Sequence, residues 1–294
     1  MLSVCICTYN RVRSLARTLD TLAAQSGVDW ANVEVVVVDN NCTDETADVV
    51  AAAAARLPVR RVVEQAQGLA NARNRALAVS CGRWVIFTDD DVVLERDWLR
   101  SYTEAFDAFP EASFAAGRIV PLWKQRRPSW FKGERLDLMD GVLVWYDIGT
   151  AVRTMTPADP EPFGANFAVR RALVESIGVF EPSLGMHGKK IGRGEETEFF
   201  IRAKAAGAKG IYVGGALCHH PVEADRLSLP ALYRYGVASG RAHRAIMNPR
   251  ESGSRLKGAA FLARGMLQLM KGRGDHFRQC VIKAGIQAGL ISHE

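Results

Sequence analysis

The stretch WVIFTDDDVV, residues 84–93, decides the fold of this chain. Its first four residues are apolar, and they lead through Thr88 into Asp89, Asp90 and Asp91. An apolar run that ends in a cluster of charges predicts a buried strand that stops at the protein surface. Three adjacent carboxylates repel one another, and a bound cation or a shared proton relieves that repulsion.

The three aspartates have two interpretations. Hard divalent cations prefer oxygen ligands, and magnesium is usually held by one or two carboxylates together with substrate phosphates. The first interpretation is therefore a metal-bridged diphosphate at the end of a central strand. The second is an acidic turn before a helix that starts near Arg96, where an aspartate acts as the helix cap.

Two other apolar runs and a short third strand precede this stretch, and a helical pattern follows each of them. The predicted strands cover residues 2–7, 33–38 and 59–63, and the helices begin after Arg11, at a cap formed by Thr43, and at Gly68. Strand, polar turn and helix in succession form a βαβ unit, and continuous apolar strands are typical of a parallel sheet covered on both faces. The sequence therefore predicts an α/β fold with a mostly parallel central sheet flanked by helices.

Polar residues follow three of the predicted strands at the points where they end. These clusters are Thr8 to Arg11, residues 39–41 and the three aspartates. Ligands of such sheets bind beyond the carboxyl ends of the strands, so the clusters predict a nucleotide site at one edge of the sheet. No glycine-rich phosphate-binding motif follows the first strand, and a metal ion is therefore expected to hold the diphosphate.

Residues 121–162 form an aromatic and basic segment without clear periodicity. It follows a predicted helix (96–109) and strand (112–120), and it contains Trp123, Trp130, Phe131, Trp145, Tyr146, Lys124, Arg126, Arg127 and Lys132. One interpretation is a surface insertion with some buried aromatic side chains. The other is a wall for the acceptor, because flat aromatic faces stack on sugar rings or bases.

Two short motifs further along carry candidate site residues. In FGANFAVRR, Gly164 lets the backbone approach a ligand closely, and the Asn166 amide offers both a donor and an acceptor. A short strand predicted over residues 208–213 is followed by His219 and His220. Two adjacent histidines in a chain with a carboxylate cluster are candidate metal ligands.

Three carboxylates, Glu195, Glu196 and Glu198, open a predicted helix that lasts to about Ala206. Acidic residues in a first turn are favoured by the helix dipole, so capping is one interpretation. Three of them exceed what capping needs, and one that faces an acceptor hydroxyl is a candidate general base. The loop before them, residues 185–194, is rich in glycine and cations.

Composition narrows the functional class. The formal net charge is +6, and the chain from Ser254 onward holds seven Lys and Arg against two acidic residues, which is +5 of that total. The nearly neutral remainder argues against a nucleic-acid-binding body. Six scattered cysteines favour a reducing compartment. Neither a signal peptide nor an apolar run of ~18–20 residues, the length of a membrane-spanning helix, is evident. We therefore expect a cytoplasmic protein.

The basic tail from Ser254 also has two interpretations. Basic side chains recur every seven positions on one helical face, and apolar side chains fall opposite or on the flanks: Lys257, Arg264 and Lys271 against Ala259, Leu262, Met266, Leu269, Phe261 and Leu267. This pattern suits a helix lying on anionic lipid, peripheral on the inner face of a membrane. Alternatively the apolar face packs on the catalytic domain or on a second subunit, which the helix-weakening glycines 258, 265, 272 and 274 favour.

Seven motifs together resemble the inverting glycosyltransferases of family two, which have the nucleotide-sugar-binding GT-A fold. In order they are VCICTYNR, VVVVDNNCTDET, GLANARNRAL, FTDDDV, FGANFAVRR, GEETEF and the histidine pair. The resemblance runs from residue 2 to about 222. It implies a catalytic domain over residues 1–222, with a donor half to about 120 and an acceptor half from 121, and a helical extension over residues 223–294.

The resemblance also implies roles for individual residues. The nucleotide-sugar contacts would be Thr8, Tyr9, Arg11, Asp39 at the base (normally uracil), Arg73, Asp89 at the ribose and Asp90 near the donor sugar. Mn²⁺ or Mg²⁺ would be held by Asp91 with His219 or His220, while Gly164, Asn166 and Trp145 would contact the acceptor or donor sugar. Where this chain has Glu195-Glu196 the family commonly has Glu-Asp, and Glu196 is favoured over Glu195 as the base. Lys189, Lys190 and Arg193 would close over the diphosphate.

The function implied is hexosyltransferase-like. The enzyme would transfer a sugar, with inversion and with a metal, from a nucleotide diphosphate sugar (most often a UDP-sugar) to an acceptor hydroxyl. Glycan, lipid-linked and small-molecule acceptors all fit, in polysaccharide, glycolipid or other glycoconjugate synthesis. A nucleotidyltransferase is one alternative, although it would place a glycine-rich basic loop where Thr8 to Arg11 stand. A non-catalytic nucleotide-sugar or glycan-binding module is the other, although it would not need Glu195 to Glu198.

Overall fold

A computed structural model describes residues 1–131, 137–188, 192–247 and 253–291. The strands are β1 (Leu2–Thr8), β2 (Val33–Asp39), β3 (Val59–Val63), β4 (Trp84–Asp89), β5 (Val93–Leu94), β6 (Phe114–Trp123), β7 (Val152–Thr154), β8 (Asn166–Arg170) and β9 (Gly210–Val222). The helices are α1 (Val12–Ala23), α2 (Thr46–Ala53), α3 (Leu69–Val79), α4 (Trp98–Ala108), α5 (Asp137–Leu143), α6 (Arg171–Ile177), α7 (Glu195–Ala205), α8 (Leu229–Ile246), α9 (Arg255–Met270) and α10 (Gly274–Ile291).

The contacts divide the chain into two compact units. The first comprises Met1–Val120, Tyr146–Ser183 and Glu195–His220, and the second comprises Pro121–Trp145, Leu184–Gly194 and Pro221–Glu294. The predicted division near residue 222 stays a prediction, which limited proteolysis would test. Within the described ranges, no helix combines the length and the apolar character needed to cross a membrane.

The first unit is built on one sheet, in the order β3-β2-β1-β4-β8-β6-β9-β5, with β7 beside β9. The first four strands in this order are parallel, and β8 continues the sheet in the antiparallel direction. The register sets Thr8 opposite Asp39 and Cys7 opposite Asp89. The polar residues that follow β1, β2 and β4 therefore share one edge of the sheet.

Apolar strands and aromatic rings form the core of this unit. Val36, Val85 and Phe87 are buried from the strands, and they pack with rings supplied by β8 and the second half of the unit. Phe167 stacks on Phe87 with ring centroids 5.0 Å apart. This packing fixes the ends of β4 and β8, where the polar side chains begin.

The structure corrects two details of the predicted elements. Strand β9 is 13 residues long, so the histidine pair lies inside it rather than after a short strand. Thr43 does not cap α2; instead the Asp44 carboxylate accepts from the Thr46 backbone N–H at 3.3 Å and from the Val12 N–H, at the start of α1, at 2.9 Å. One carboxylate thus serves the first turns of two helices.

The second unit joins the aromatic segment to the C-terminal helices. Its core contains Phe131, Met139, Leu232 and Ile282, with Trp123, Trp130 and Trp145 packed against them. Tyr146, in contrast, is buried in the first unit against Phe163. Within the described part of residues 121–162, the Phe131 and Tyr146 side chains are buried, and those of Trp123, Trp130 and Trp145 are half-buried against the core. Lys132 lies outside the described residues.

Helices α8 and α10 approach so closely that glycine is required on both. A Cβ atom added at Gly236 would lie 2.2 Å from the Ile282 carbonyl oxygen, and one at Gly285 would lie 2.3 Å from the Tyr233 oxygen. Gly240 and Gly289 meet the opposite helix in the same way one turn further on. The two backbones are therefore in direct contact along about two turns.

Candidate functional site

Hydrogen bonds connect the ends of β1 and β4 at the polar edge of the sheet. The Thr8 hydroxyl donates to Asp90 Oδ2 at 2.7 Å. Arg11 Nη1 donates to Asp90 Oδ1 at 3.1 Å and to Asp91 Oδ2 at 2.8 Å. Tyr9, between them, has a half-buried side chain. The predicted nucleotide residues of β1 and the aspartates of β4 thus form one cluster.

Two of these aspartates and one histidine lie close enough to share a cation. Ligand atoms of Asp89, Asp91 and His220 all lie within 4.8 Å of one another. His220 Nε2 is 3.5 Å from Asp91 Oδ1, a buried oxygen with no hydrogen-bond partner among the described residues. Such an orphaned acceptor would suit a bound cation, and the donor set of two carboxylates and an imidazole is a common one for divalent metals.

The two histidines occupy opposite faces of β9, because successive side chains of a strand alternate. His219 Nε2 lies 2.7 Å from Glu95 Oε1, and its backbone pairs with Val93 of β5. His220 is buried with the aspartates. Of the two predicted ligands, His220 is therefore the one that lies with Asp91. His219, the other alternative, contacts the Glu95 carboxylate instead.

Burial makes the aspartates costly to ionise. It raises the pKa of Asp90 to about 7, with Asp91 adding to the increase, while Arg11 and the Thr8 hydrogen bond oppose it. Burial and the Asp91 charge also raise the pKa of Asp89. A divalent cation would remove much of this unfavourable charge, as the sequence predicted for three adjacent carboxylates.

Asp39 is buried and makes two hydrogen bonds. Its Oδ1 accepts from the Cys42 N–H at 2.7 Å, and its Oδ2 accepts from Arg61 Nε at 2.8 Å. Arg61 was not among the predicted residues, although the arginine pair in the short strand VRRVV was a signal that both faces of β3 are partly exposed. Asn40, which belongs to the predicted cluster of residues 39–41, has a structural contact: its Oδ1 accepts from the Gly68 N–H at 2.8 Å and so fixes the start of α3.

A second cluster surrounds Arg73, whose side chain is almost fully buried. Its Nη1 lies 2.8 Å from Glu195 Oε1 and 4.0 Å from Glu196 Oε2, and its Nη2 donates to the Gly164 carbonyl at 3.2 Å. The guanidinium lies over the Phe167 ring, with Cζ 5.4 Å from the ring centroid. The predicted residues Arg73, Gly164, Glu195 and Glu196 are therefore brought together.

The carboxylates at the start of α7 have three different environments. Glu195 is paired with Arg73; burial and the Glu196 charge raise its pKa to about 8, against the opposing effect of Arg73. Glu198 forms a two-point ion pair with Arg202. Glu196 has a side chain that is 19% exposed and an Oε2 atom without a hydrogen-bond partner in the described chain. Glu196 is thus the one of the three with a buried carboxylate oxygen that no hydrogen bond among the described residues occupies.

Two of the three residues predicted to contact a sugar, Gly164 and Asn166, have different surroundings in the structure. At Gly164 an added Cβ would lie 2.5 Å from Arg73 Nη2 and 3.3 Å from Glu196 Oε1. Glycine therefore leaves room for these two side chains. The Asn166 side chain is buried; it accepts from Trp98 and Tyr102 and donates to two backbone carbonyls. It therefore has no free group for a sugar, contrary to the prediction.

The remaining predicted residues lie in the second unit. Trp145 packs there against Phe131, with ring centroids 6.2 Å apart. Arg193 places its guanidinium 4.2 Å from the ring centroid of Tyr235. Lys189 and Lys190, the other cations of the predicted closing loop, lie outside the described residues.

Two solved structures share the fold. The mannosyltransferase PcManGT from Pyrobaculum calidifontis, in complex with GDP-Man and Mn²⁺, aligns over 100% of this chain and 88% of that chain, with a TM-score of 0.64 and 22% identity. S. aureus TarS 1-349 in complex with UDP-GlcNAc aligns over 98% of this chain and 90% of that one, with a TM-score of 0.55 and 17% identity. The predicted GT-A fold class is confirmed.

Sequence comparisons agree with the fold. Succinoglycan biosynthesis protein ExoM of Rhizobium meliloti (strain 1021) is 27% identical over 300 residues, covering 97% of this chain and 91% of that protein. Glucosyl-dolichyl phosphate glucuronosyltransferase of Haloferax volcanii is 25% identical over 231 residues, covering 74% and 68%. The sequence model described as Glycosyl transferase family 2 matches residues 3–178, more than half of the chain. The chain therefore belongs to glycosyl transferase family 2 and is a glycosyltransferase.

Proposed function

We propose that this enzyme transfers a sugar from a nucleotide diphosphate sugar to an acceptor hydroxyl, with inversion and with the help of a divalent metal. The observation that carries the proposal is the pairing of two clusters in one unit. One contains Asp89, Asp91 and His220 with an unpartnered acid oxygen, and the other contains Glu196, whose Oε2 is also without a hydrogen bond among the described residues.

The nucleotide would bind along the edge formed by β1 and β2. Thr8, Tyr9 and Arg11 would line its pocket, and Asp39 would hold the base through a carboxylate that Arg61 and the Cys42 N–H already fix in place. We propose UDP as the nucleotide, with Asp89 at the ribose and Asp90 near the donor sugar. The solved structures that share the fold hold UDP-GlcNAc in one case and GDP-Man in the other, so the donor panel below includes both nucleotides.

The metal site would be formed by Asp91 and His220, with Asp89 beside them. Carboxylates suit Mg²⁺ and Mn²⁺, and the imidazole tilts the choice towards Mn²⁺, which binds nitrogen ligands more readily than Mg²⁺ does. A divalent ion there would stabilise the charge that develops on the departing diphosphate. Arg11, already 2.8 Å from Asp91, is placed to contact the same phosphates.

Glu196 would act as the general base. Its free oxygen would take the proton of the acceptor hydroxyl while that hydroxyl attacks the anomeric carbon from the side opposite the diphosphate, which inverts the configuration. Arg73 and Glu195 would be positioning residues, because their buried pair fixes the start of α7 next to the Gly164 backbone. The longer side chain of Glu196, relative to the aspartate common in the family, sets how far from the helix the acceptor hydroxyl must stand.

We propose a glycan or a lipid-linked sugar as the acceptor, in polysaccharide or glycolipid synthesis at the cytoplasmic side of the cell. One relative is named for succinoglycan biosynthesis and another for acting on glucosyl-dolichyl phosphate, and both descriptions fit an acceptor of this class.

The test is nucleotide release from a panel of UDP- and GDP-sugars, with Mn²⁺, with Mg²⁺ and with EDTA, followed by mass spectrometry of the products. Release of UDP from one donor only in the presence of metal is expected. Formation of pyrophosphate would identify a nucleotidyltransferase instead. Tight donor binding without any release, in the presence of extracts that supply acceptors, would identify a binding module.

A further inference from the structure

Helix α9 packs on α10 through glycines rather than through its large side chains. Gly258 and Gly265 are its buried residues, and Phe261 and Gln268 are half-buried on the same stripe. A Cβ atom at Gly265 would lie 2.9 Å from the Cβ of Cys280, so the two helices touch closely there. The sequence suggested that these glycines weaken the helix; in the structure they form its contact face.

The opposite side of α9 is a broad exposed arc of apolar side chains, which we call the apolar arc. The exposed fractions are 84% for Leu256, 42% for Leu262, 52% for Met266, 54% for Leu267, 42% for Leu269 and 73% for Met270. At about 100° per residue this arc spans roughly 160° of the helix. Contiguous exposed apolar surface of this kind marks an interaction site.

A basic stripe runs along the edge of the apolar arc. It consists of Lys257, Arg264 and Lys271, all exposed, and Lys283 of α10 lies 5.9 Å from the centroid of Phe261 on the same side. No aspartate or glutamate occurs from residue 252 to residue 274. All the ionised side chains of this surface are therefore cations.

We propose that the apolar arc and the basic stripe of α9 form a docking surface for an anionic lipid bilayer. The uniform positive charge selects this occupant, because two copies of the chain meeting through α9 would bring basic stripes together. In the docked state α9 lies in the plane of the interface, with its apolar side chains at the boundary between headgroups and acyl chains. The glycine stripe keeps the helix attached to α10 while the rest of its circumference remains available.

The size of the effect follows from the number of cations. Each Lys or Arg near an anionic surface strengthens binding about fivefold, so the three residues of the stripe contribute roughly a hundredfold. This contribution is screened by salt, since the charges are exposed. Binding should therefore be strong at low ionic strength, weaker at high ionic strength, and weak on neutral lipid.

The experiment is co-sedimentation of the full chain with vesicles of equal parts phosphatidylglycerol and phosphatidylcholine, and with vesicles of phosphatidylcholine alone. The basic variant replaces Lys257, Arg264 and Lys271 by Gln. The apolar variant replaces Leu262, Met266 and Met270 by Gln, a good helix former. A charge-matched control replaces three exposed cations elsewhere by Gln, namely Arg17, Lys209 and Arg234. Circular dichroism verifies the helix content of each variant.

We expect binding to the anionic vesicles only, with a loss of roughly tenfold or more in the basic and apolar variants and little change in the control. The proposal is overturned if the wild type fails to bind anionic vesicles at low salt, or if the control loses as much affinity as the basic variant. It is also overturned if, without lipid, the wild type sediments as a dimer and the apolar variant as a monomer, because the arc is then a contact between copies. None of these outcomes depends on transfer activity.

Discussion

Replacing Glu196 by Gln separates the proposed catalytic role from folding. The amide has nearly the same shape as the carboxylate but cannot take up a proton. Glu196 Oε2 has no hydrogen-bond partner in the described chain and stands 4.0 Å from Arg73 Nη1, while Glu195 holds Arg73 at 2.8 Å. We therefore expect the free energy of unfolding of E196Q to change by less than about 1 kcal/mol.

The loss of activity should be far larger than the loss of stability. A positioned general base accelerates proton transfer by roughly 10²–10⁴-fold, so kcat should fall by that factor, equivalent to about 3–5 kcal/mol of activation free energy. Donor affinity should stay within about twofold, since the side chain makes no contact in the nucleotide cluster. UDP release measures kcat, and calorimetry measures donor binding in the same preparation.

Glu195→Gln is the matched comparison, because it alters the neighbouring carboxylate in the same way. Above about pH 8, where Glu195 is ionised, it leaves the buried Arg73 without its 2.8 Å counter-charge, and breaking a buried pair typically costs about 3–5 kcal/mol. In a chain of this length that predicts a Tm lower by about 6–20 °C. Glu196→Gln should show no comparable decrease in thermal denaturation.

The assignment fails if E196Q keeps kcat within about tenfold of the wild type. If E195Q is then folded but inactive, the base is Glu195, and the pair with Arg73 is not merely positional. Loss of donor affinity in E196Q would also contradict the reasoning, because it would place Glu196 in the nucleotide site.

Four further outcomes follow. Asp91→Ala should retain its Tm but lose Mn²⁺-dependent UDP binding in calorimetry; unchanged metal dependence would exclude Asp91 as a ligand. His220→Ala should weaken that binding by at least roughly 10- to 100-fold while His219→Ala leaves it near normal, and equal losses would contradict the geometry. Gly285→Ala should destabilise the fold by roughly 1–3 kcal/mol, because its Cβ would meet a backbone oxygen at 2.3 Å; an unchanged Tm would count against that contact. In metal-free buffer Tm should fall as pH rises from about 4.5 to about 8, because folded Glu195 keeps a proton that the unfolded chain releases. The fall should be shallower in E196Q, because that variant removes the Glu196 charge, one cause of the raised pKa of Glu195. Equal slopes of Tm against pH in the two proteins would contradict this prediction.

Strands β1, β2 and β4 of the parallel half were predictable because they are buried on both faces. Residues in β1, β2 and β4 are apolar without alternation, and the polar residues after them mark where each strand ends. Parallel pairing then places those ends together, so the cluster of Thr8, Asp39 and the aspartates could be predicted without coordinates.

The details that failed depend on contacts distant in sequence. Asn166 looks like a ligand residue in a small-residue motif, but α4 supplies Trp98 and Tyr102 to its carbonyl oxygen, and no local pattern reveals that. The separation of His219 from His220 depends on β9 continuing past both of them, which Pro221 argued against. The role of Gly258 and Gly265 as the contact face of α9 depends on their packing against α10, which the sequence does not reveal.

The position of Arg11 links the binding of the metal to the binding of the nucleotide. Its guanidinium already provides a positive charge between Asp90 and Asp91. A free divalent ion would therefore compete with a tethered cation and meet electrostatic repulsion, whereas a diphosphate would draw Arg11 towards itself and leave the carboxylates to the ion. Metal and nucleotide should consequently bind with positive cooperativity, each raising the affinity of the other by the same factor. Arg11→Gln should tighten Mn²⁺ binding in the absence of nucleotide and reduce that factor, and calorimetric titrations in both orders would measure the two changes.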